Sequence, residues 1–291
     1  MRIVRHKLTG DLRVAPFARA RNIDEAIAPE LVVLHDTASS IDHGSVARFL
    51  RESPRVSVHF VIERDGTIEQ QIPTNRAGDH AGQSHYHGRD GVNAFSIGIE
   101  LVNPGLMEAS SDNPAWVRAW WDQTFGVADY GIVRRRTPEH GDGWWMPHTR
   151  PQIAALLDLL DALFASVPTL RDIRGHWYVS PGRKIDPGPT LDIEAIRARV
   201  LGPTDPVEAD LDARGEDLRV DGAPPHARVS TNGGNLNLRR WPSFNPNVIG
   251  SIPDGTPLEV IRGGEFGGRR WSRVDHGGRE GWVVDTYLEF L

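Results

Sequence analysis

Twelve histidines, no cysteine and two lysines narrow the chemistry open to this chain of 291 residues. Without cysteine there is no disulfide, no thiolate metal ligand and no thiol nucleophile. A serine nucleophile lacks its elbow, because Gly82-Gln83-Ser84-His85-Tyr86 misses the final glycine of that motif. No glycine-rich segment ends in Gly-Lys-Ser/Thr, so the phosphate-binding loop is absent as well. Histidine and carboxylate remain. His176 and Asp186 stand ten positions apart in a stretch, 175–189, rich in proline and glycine. Such a loop buries little by itself, so something must fix its shape. His35 closes the apolar run Leu31-Val32-Val33-Leu34 and is followed by Asp36-Thr37. Taken alone, His35 reads more simply as a buried histidine with satisfied nitrogens. A metal held by His35, His176 and Asp186 would brace the loop. Two imidazoles and one carboxylate leave a fourth tetrahedral position open for water, as a catalytic zinc requires.

The elements around these residues alternate in type up to about residue 200. The run 31–34 reads as a buried strand. Val46, Phe49 and Leu50 have helical spacing after His43-Gly44. Val58, Phe60 and Ile62 alternate, and Arg64-Asp65-Gly66-Thr67 turns them into Ile68–Ile72, a hairpin signature. Phe95–Leu101 alternates as another strand. Ile153, Leu156, Leu157, Leu160, Leu163 and Phe164 predict a helix beginning near Pro151. Asp192 is placed to cap a last helix carrying Ile193, Ile196 and Val200. The expected fold is α/β, one central mixed sheet flanked by helices. The stretch 104–150 fits less well and reads as an insertion. It carries Trp116, Trp120, Trp121, Trp144 and Trp145, which either pack it onto the domain or line a groove for a sugar chain.

Residues 201–225 hold seven acidic and two basic residues with several prolines, and so account for five of the net six negative charges. They read as a linker between a domain at 1–200, with its core at 30–200, and one at 226–291. The net charge of −6 argues against a dedicated nucleic-acid binder, and because the flanking parts are close to neutral the charge says little else about partners. No apolar run has the length of a membrane span, and Met1–Lys7 lacks the apolar stretch of a standard secretory signal. The last part has short strands and turn residues, such as Asn235–Arg239, Val248–Val260, Trp271–Val274 and Gly281–Val284, and predicts a small all-β barrel.

Five separated segments then appear in one order: Val33–Thr37, Ser57–Ile62, His80–Ser84, Asn93 through Leu101, and His176 through Pro189. In that order they resemble the zinc-dependent N-acetylmuramoyl-L-alanine amidases, type 2, which share a fold with peptidoglycan recognition proteins. The resemblance covers roughly 30–103 and 150–200. It implies a zinc ion on His35, His176 and Asp186, Glu100 as the catalytic acid and base, and Lys184 beside the oxyanion. It sets His80, Ser84 and Asn93 at the substrate. His59 is either a sheet-interior histidine or a supporting group of that same set. His85 and His87 read as loop side chains. The C-terminal part resembles bacterial SH3 domains through Asn237-Leu238-Arg239 and Gly281-Trp282-Val283. Trp241, Phe244 and Trp271 are its expected exposed aromatics for wall contact.

The resemblance implies hydrolysis of the amide between N-acetylmuramic acid and L-alanine in peptidoglycan or a muropeptide, by a monomer. Two other readings stay open: a non-catalytic peptidoglycan binder on the same fold, and a cytoplasmic enzyme that recycles muropeptides. Without a standard signal peptide, a wall enzyme is expected to reach its substrate after release or by another export route.

Overall fold

The structure, a computed structural model, describes residues 1–86, 89–137, 139–201, 226–239, 242, 248–266 and 269–291. The chain divides into two compact units, Met1–Pro206 and Val207–Leu291. Apart from Leu201, the stretch read as a linker lies outside the described residues.

In the first unit the central sheet has five strands. They are β1 (Leu31–Asp36), β2 (Phe60–Ile62), β3 (Ile68–Gln70), β4 (Ser96–Leu101) and a late strand, Asp172–Gly175. The late strand, β1, β4 and β2 run parallel in that order, and β3 closes the edge antiparallel to β2. Strands with both faces covered must be apolar throughout. Val32, Leu34, Phe60, Ile62, Ile97, Ile99 and Leu101 accordingly sit in one core cluster with the long helix α2 (Arg150–Ser166). The shorter helix α1 (Ser45–Glu52) follows Gly44, as the sequence predicts, and buries Val46, Ala47 and Leu50. The N-terminal segment covers the open edge, where Ala15 and Ala18 donate to the Ile68 and Gln70 carbonyls. That pairing removes an exposed strand edge.

Helix α2 begins as expected. Thr149 caps it, accepting from the Gln152 N–H at 3.2 Å, with Pro151 in the first turn. Its buried face is rotated from the predicted one. Gln152, Ala155, Leu156, Leu159, Leu160 and Leu163 are buried, while Ile153, Leu157 and Phe164 are only partly covered. A buried glutamine explains the shift. The Gln152 side-chain amide donates to the Ile62 and Val102 carbonyls at 3.0 and 3.1 Å, locking the helix over the ends of β2 and β4. A helix α3 (Ile193–Leu201) ends the unit, with Asp192 accepting from the Ala195 N–H at 2.9 Å.

The insertion is a sheet of its own. Its strands Leu106–Ala109, Trp116–Ala119, Thr124–Gly126, Val133–Thr137 and Gly141–Trp145 form an antiparallel five-stranded sheet between β4 and α2. Of its tryptophans, Trp145 is buried whereas Trp120 is 76% exposed. Packing onto the domain therefore accounts for Trp145 and not for Trp120.

The second unit is all-β. Seven antiparallel strands, from His226–Val229 to Leu288–Phe290, enclose Leu236, Leu238, Ile252, Leu258, Trp271, Val274 and Trp282. Trp271, expected on the surface, is 1% exposed and belongs to this core. It packs in one cluster with Val274, Trp282 and Val284. Trp241 and Phe244 lie outside the described residues.

The rotated stripe on α2 is measurable. Leu160→Ala is expected to cost about 2–5 kcal/mol in a urea titration. Phe164→Ala should cost less despite its larger side chain, and the reverse order would place the helix in the register read from the sequence.

Candidate metal centre and its supports

Parallel strands end on the same side of a sheet, and open α/β sheets bind ligands beyond those ends. In the register of β1 with β4, His35 stands opposite Glu100. The late strand pairs Gly175 with Leu34, so His176, the next residue, emerges beside His35. Three adjacent strand ends thus supply His35, Glu100 and His176. Asp186 comes from the loop that follows.

His35 Nδ1, His176 Nδ1 and one Asp186 oxygen lie 2.9, 3.0 and 3.3 Å from one another. Bonds of about 2.0–2.1 Å at tetrahedral angles set ligand atoms about 3.3 Å apart, so this triangle has the size of three zinc ligands. The other ring nitrogens fix the tautomers. His176 Nε2 donates to the Ala81 carbonyl at 3.0 Å, which leaves its Nδ1 lone pair facing the centre. His35 Nε2 meets His80 Nδ1 at 3.0 Å, and His80 Nε2 meets the Ser96 hydroxyl at 3.2 Å. Ser96 passes its own proton to the Val92 carbonyl at 2.7 Å. Among the described residues this trio could hold a metal ion.

Electrostatics agree with that donor set. Burial, with the neighbouring His176, lowers His35 to about 4, so the imidazole is neutral at pH 7. Burial raises Asp186, but the close approach of His176 and His35 outweighs it and holds the carboxyl far below its usual range. Glu100 is pushed well above the usual range, first by burial and then by Asp186 and Asp36, with Lys184 opposing. One Glu100 oxygen is buried without a hydrogen-bond partner among the described residues. An unpartnered buried carboxylate is costly, and a cation or water beside it removes that cost. Lys184 makes no hydrogen bond or ion pair through its ammonium among the described residues, yet acts on both His35 and Glu100 through its charge.

His80, Ser84 and Asn93, expected at the substrate, and His59 all support the fold. His80 supports His35, and its ring occupies the space over Gly98, where any Cβ would come within 2.5 Å of it. His59 is fully buried, its Nδ1 accepting from the Gly98 N–H at 3.1 Å and its Nε2 donating to the Arg76 carbonyl at 2.8 Å. Ser84 bridges the Gly82 carbonyl and the Val92 N–H. Asn93 accepts from the Ala81 N–H at 2.8 Å and donates to Asp79 at 3.1 Å. A loop approaching a ligand needs its backbone groups satisfied, and these side chains do that. His85 pairs with Asp90 at 2.8 Å near the surface, and His87 lies outside the described residues.

Other contacts at the loop were not read from the sequence. Asp36 accepts from the Gly188 N–H and from His148, both at 2.7 Å. His140, from the inserted sheet, donates to the Pro187 carbonyl at 2.9 Å. Gly188 lies flat on Trp145, where a Cβ would come within 2.3 Å of the indole. The backbone on the far side of Asp186 is therefore clamped by β1 and by the insertion. A carboxylate at the end of an apolar strand, as in Leu34-His35-Asp36, signals a needed partner. Nothing local marks His140 or His148.

With the geometry described, comparison with known proteins decides the family. A family profile described as N-acetylmuramoyl-L-alanine amidase matches residues 25–189. The chain belongs to this family. A second profile, described as a bacterial SH3 domain, matches residues 234–289. The 1,6-anhydro-N-acetylmuramyl-L-alanine amidase AmpD of Salmonella typhimurium (strain LT2) is 35% identical over 147 residues, half of this chain and 58% of that protein. The N-acetylmuramoyl-L-alanine amidase AmiD of Escherichia coli (strain K12) is 26% identical over 210 residues, 69% of this chain and 62% of that protein. The chain thus spans about three fifths of the length of these relatives. A crystal structure of a selenomethionine AmpD derivative covers 69% of this chain and 99% of its own, at 25% identity and a TM-score of 0.47. The amidase-family match includes all three members of the metal trio, Glu100, Lys184 and the whole inserted sheet.

Two outcomes follow for the amidase domain. His140→Ala and Asp36→Asn should each weaken zinc binding by about 10–100-fold in a chelator competition, the usual effect of losing an outer hydrogen bond. Unchanged affinity in both would make the clamp irrelevant to the metal. The second concerns pH in the metal-free protein. His35 and His59 titrate at about 4 when folded, against 6.5 unperturbed. The unfolded chain therefore takes up protons first, and stability is lost as pH falls from about 6.5 towards 4. Glu100, raised when folded, has the opposite sign. Urea midpoints of Glu100→Gln, which lacks that opposing group, should thus fall steadily over this range; a flat profile would contradict the buried neutral histidines.

Proposed function

We propose that this chain is a zinc amidase that hydrolyses the amide between N-acetylmuramic acid and L-alanine of peptidoglycan. The observation that carries it is the metal-sized trio of His35, His176 and Asp186 beside Glu100 on the next strand, one of whose oxygens is buried without a partner among the described residues. Two imidazoles and an ionised carboxylate suit a divalent ion of borderline softness. When bound, zinc supplies Lewis acidity and makes water nucleophilic at neutral pH. Glu100 takes the proton of the attacking water and returns it to the leaving L-alanine amine. Its raised proton affinity in the metal-free site, pulled down by Lys184 and a divalent charge, suits a group that must both accept and release a proton. Lys184 provides fixed positive charge where the carbonyl oxygen gains negative charge.

A purely binding protein has no use for a partnerless carboxylate in a buried position, which favours catalysis. The relatives named for 1,6-anhydro-muramyl substrates favour soluble fragments as substrate. The bacterial SH3 match favours the wall itself. We assign 1–200 as the amidase domain, 201–225 as a linker and 226–291 as a wall-targeting domain. That assignment makes the wall the main substrate and tethering the reason for the second unit.

Chelation should abolish amide cleavage and lower Tm, with zinc restoring both, since binding to the folded state alone adds stability. Glu100→Gln should retain zinc and lose turnover by about 100-fold or more. Activity in protein shown to be free of metal would end the zinc assignment. Truncation at residue 205 should leave an active enzyme that loses far more rate on sacculi than on a soluble muropeptide. Equal losses on the two would mean that the second unit helps to build the site.

A further inference from the structure

Trp120 combines strong exposure with a fixed position. It occupies the tip of the hairpin formed by Trp116–Ala119 and Thr124–Gly126, and is 76% exposed. Its indole N–H nevertheless donates to the Ala38 carbonyl at 2.8 Å. Trp121 packs edge-on against it, with ring centroids 5.7 Å apart, and is held in turn by Gln123. The Ala38 carbonyl is itself pinned. Ala38 adopts φ 45°, a conformation costly for a residue with a Cβ, between Thr37, whose N–H bonds Leu101, and Ser39, whose N–H bonds Asn103. The turn that presents Trp120 also contains Asp122 at φ 67°. An aromatic side chain at a hairpin tip exposes apolar area to water, and a loop that needed only a turn would use glycine or asparagine there.

Ala38 lies three residues past His35, so its Cα is at most about 11 Å from that of the metal ligand. The anchored edge of the indole is its N–H, which leaves ring surface free. The surroundings of Ala38 are polar: Thr37, Ser39, Ser40 and Asp42. A rigid apolar plate with a polar border matches a pyranose ring, which has an apolar face of C–H groups and a rim of hydroxyl and acetamide groups. It does not match a stem peptide, whose alanines and carboxylates offer no flat apolar face.

We infer that Trp120 is a stacking platform for a sugar ring of the glycan strand beyond the muramic acid under attack, and that it selects multi-sugar substrates over single-sugar ones. This rests on the amidase reading. It assigns to the inserted sheet a share in substrate choice in addition to its clamp on the Asp186 loop.

The test uses the full-length, zinc-loaded protein and two substrates with the same stem peptide. One carries a single muramic acid, and the other an alternating tetrasaccharide of N-acetylglucosamine and N-acetylmuramic acid. Trp120→Ala should raise KM for the tetrasaccharide about tenfold and lower the ratio of the two kcat/KM values by the same factor. Trp120→Phe, which keeps an aromatic face but loses the bond to Ala38, should recover most of that ratio. Calorimetric titration with the peptide-free tetrasaccharide should show the same order of affinities, and Tm of each variant checks folding. An unchanged ratio in Trp120→Ala overturns the proposal. So does Trp120→Phe behaving like Trp120→Ala, which would reduce the residue to a hydrogen bond that shapes the loop. If the wild type cleaves neither substrate, the amidase reading fails, and the peptide-free titration still decides whether Trp120 binds sugar.

Discussion

Asp186 reaches the metal trio from a loop that has no core of its own, and its position depends on one carboxylate. Asp36 closes β1 one residue after His35 and takes two short hydrogen bonds, from the Gly188 N–H and from His148. The strand end that supplies one ligand therefore also fastens the backbone that carries another. Were Gly188 free, the Asp186 carboxylate would sample many positions beside the two buried imidazoles, which face each other at 2.9 Å. The parallel register of β1 with its two neighbours sets the remaining geometry, since it aligns His35, Glu100 and His176 at one end of the sheet.

The inserted sheet completes this arrangement from outside. His140 and Trp145 reach the segment Pro187–Gly188, and His148, just beyond the sheet, reaches Asp36. Charge follows from burial in the same place. Removal from water keeps His35 and His80 neutral, drives Glu100 toward its protonated form, and is overcome at Asp186 only by the two imidazoles beside it. A site with this balance could hold a positive ion. Lys184, held at the loop by its backbone N–H to Ser180 at 3.0 Å, adds a second positive charge on the same side.

Much of this was legible in the residues. Apolar runs and alternation located β1, the β2–β3 hairpin and β4, because strands buried on both faces or one must show it in their composition. Proline marked the start of α2 and Asp192 that of α3, and five motifs in order pointed to the amidase family and to His35, His176, Asp186, Glu100 and Lys184. The second unit was legible as all-β from its short strands and turns. Its aromatics were not: Trp271 fills a core that only closure of the sheet creates.

What the sequence determined by itself was the inventory of donors and the strands that carry them, since residue type and local periodicity are local properties. Tertiary structure alone decided which histidines join the trio that could hold a metal and which stand behind it. His80 sits in a motif that suggested substrate contact, and its ring supports His35; for His59, tertiary structure decided between the two readings by packing it against a strand nearly forty residues away. It also decided the face of α2, where Gln152 finds two carbonyls that no helical period can reveal. The same holds for Asp36, His140 and His148, whose partners lie between 47 and 152 positions distant. Hydrogen bonds across such distances leave no trace in spacing, because the chain between the partners sets only whether they can meet, not whether they do.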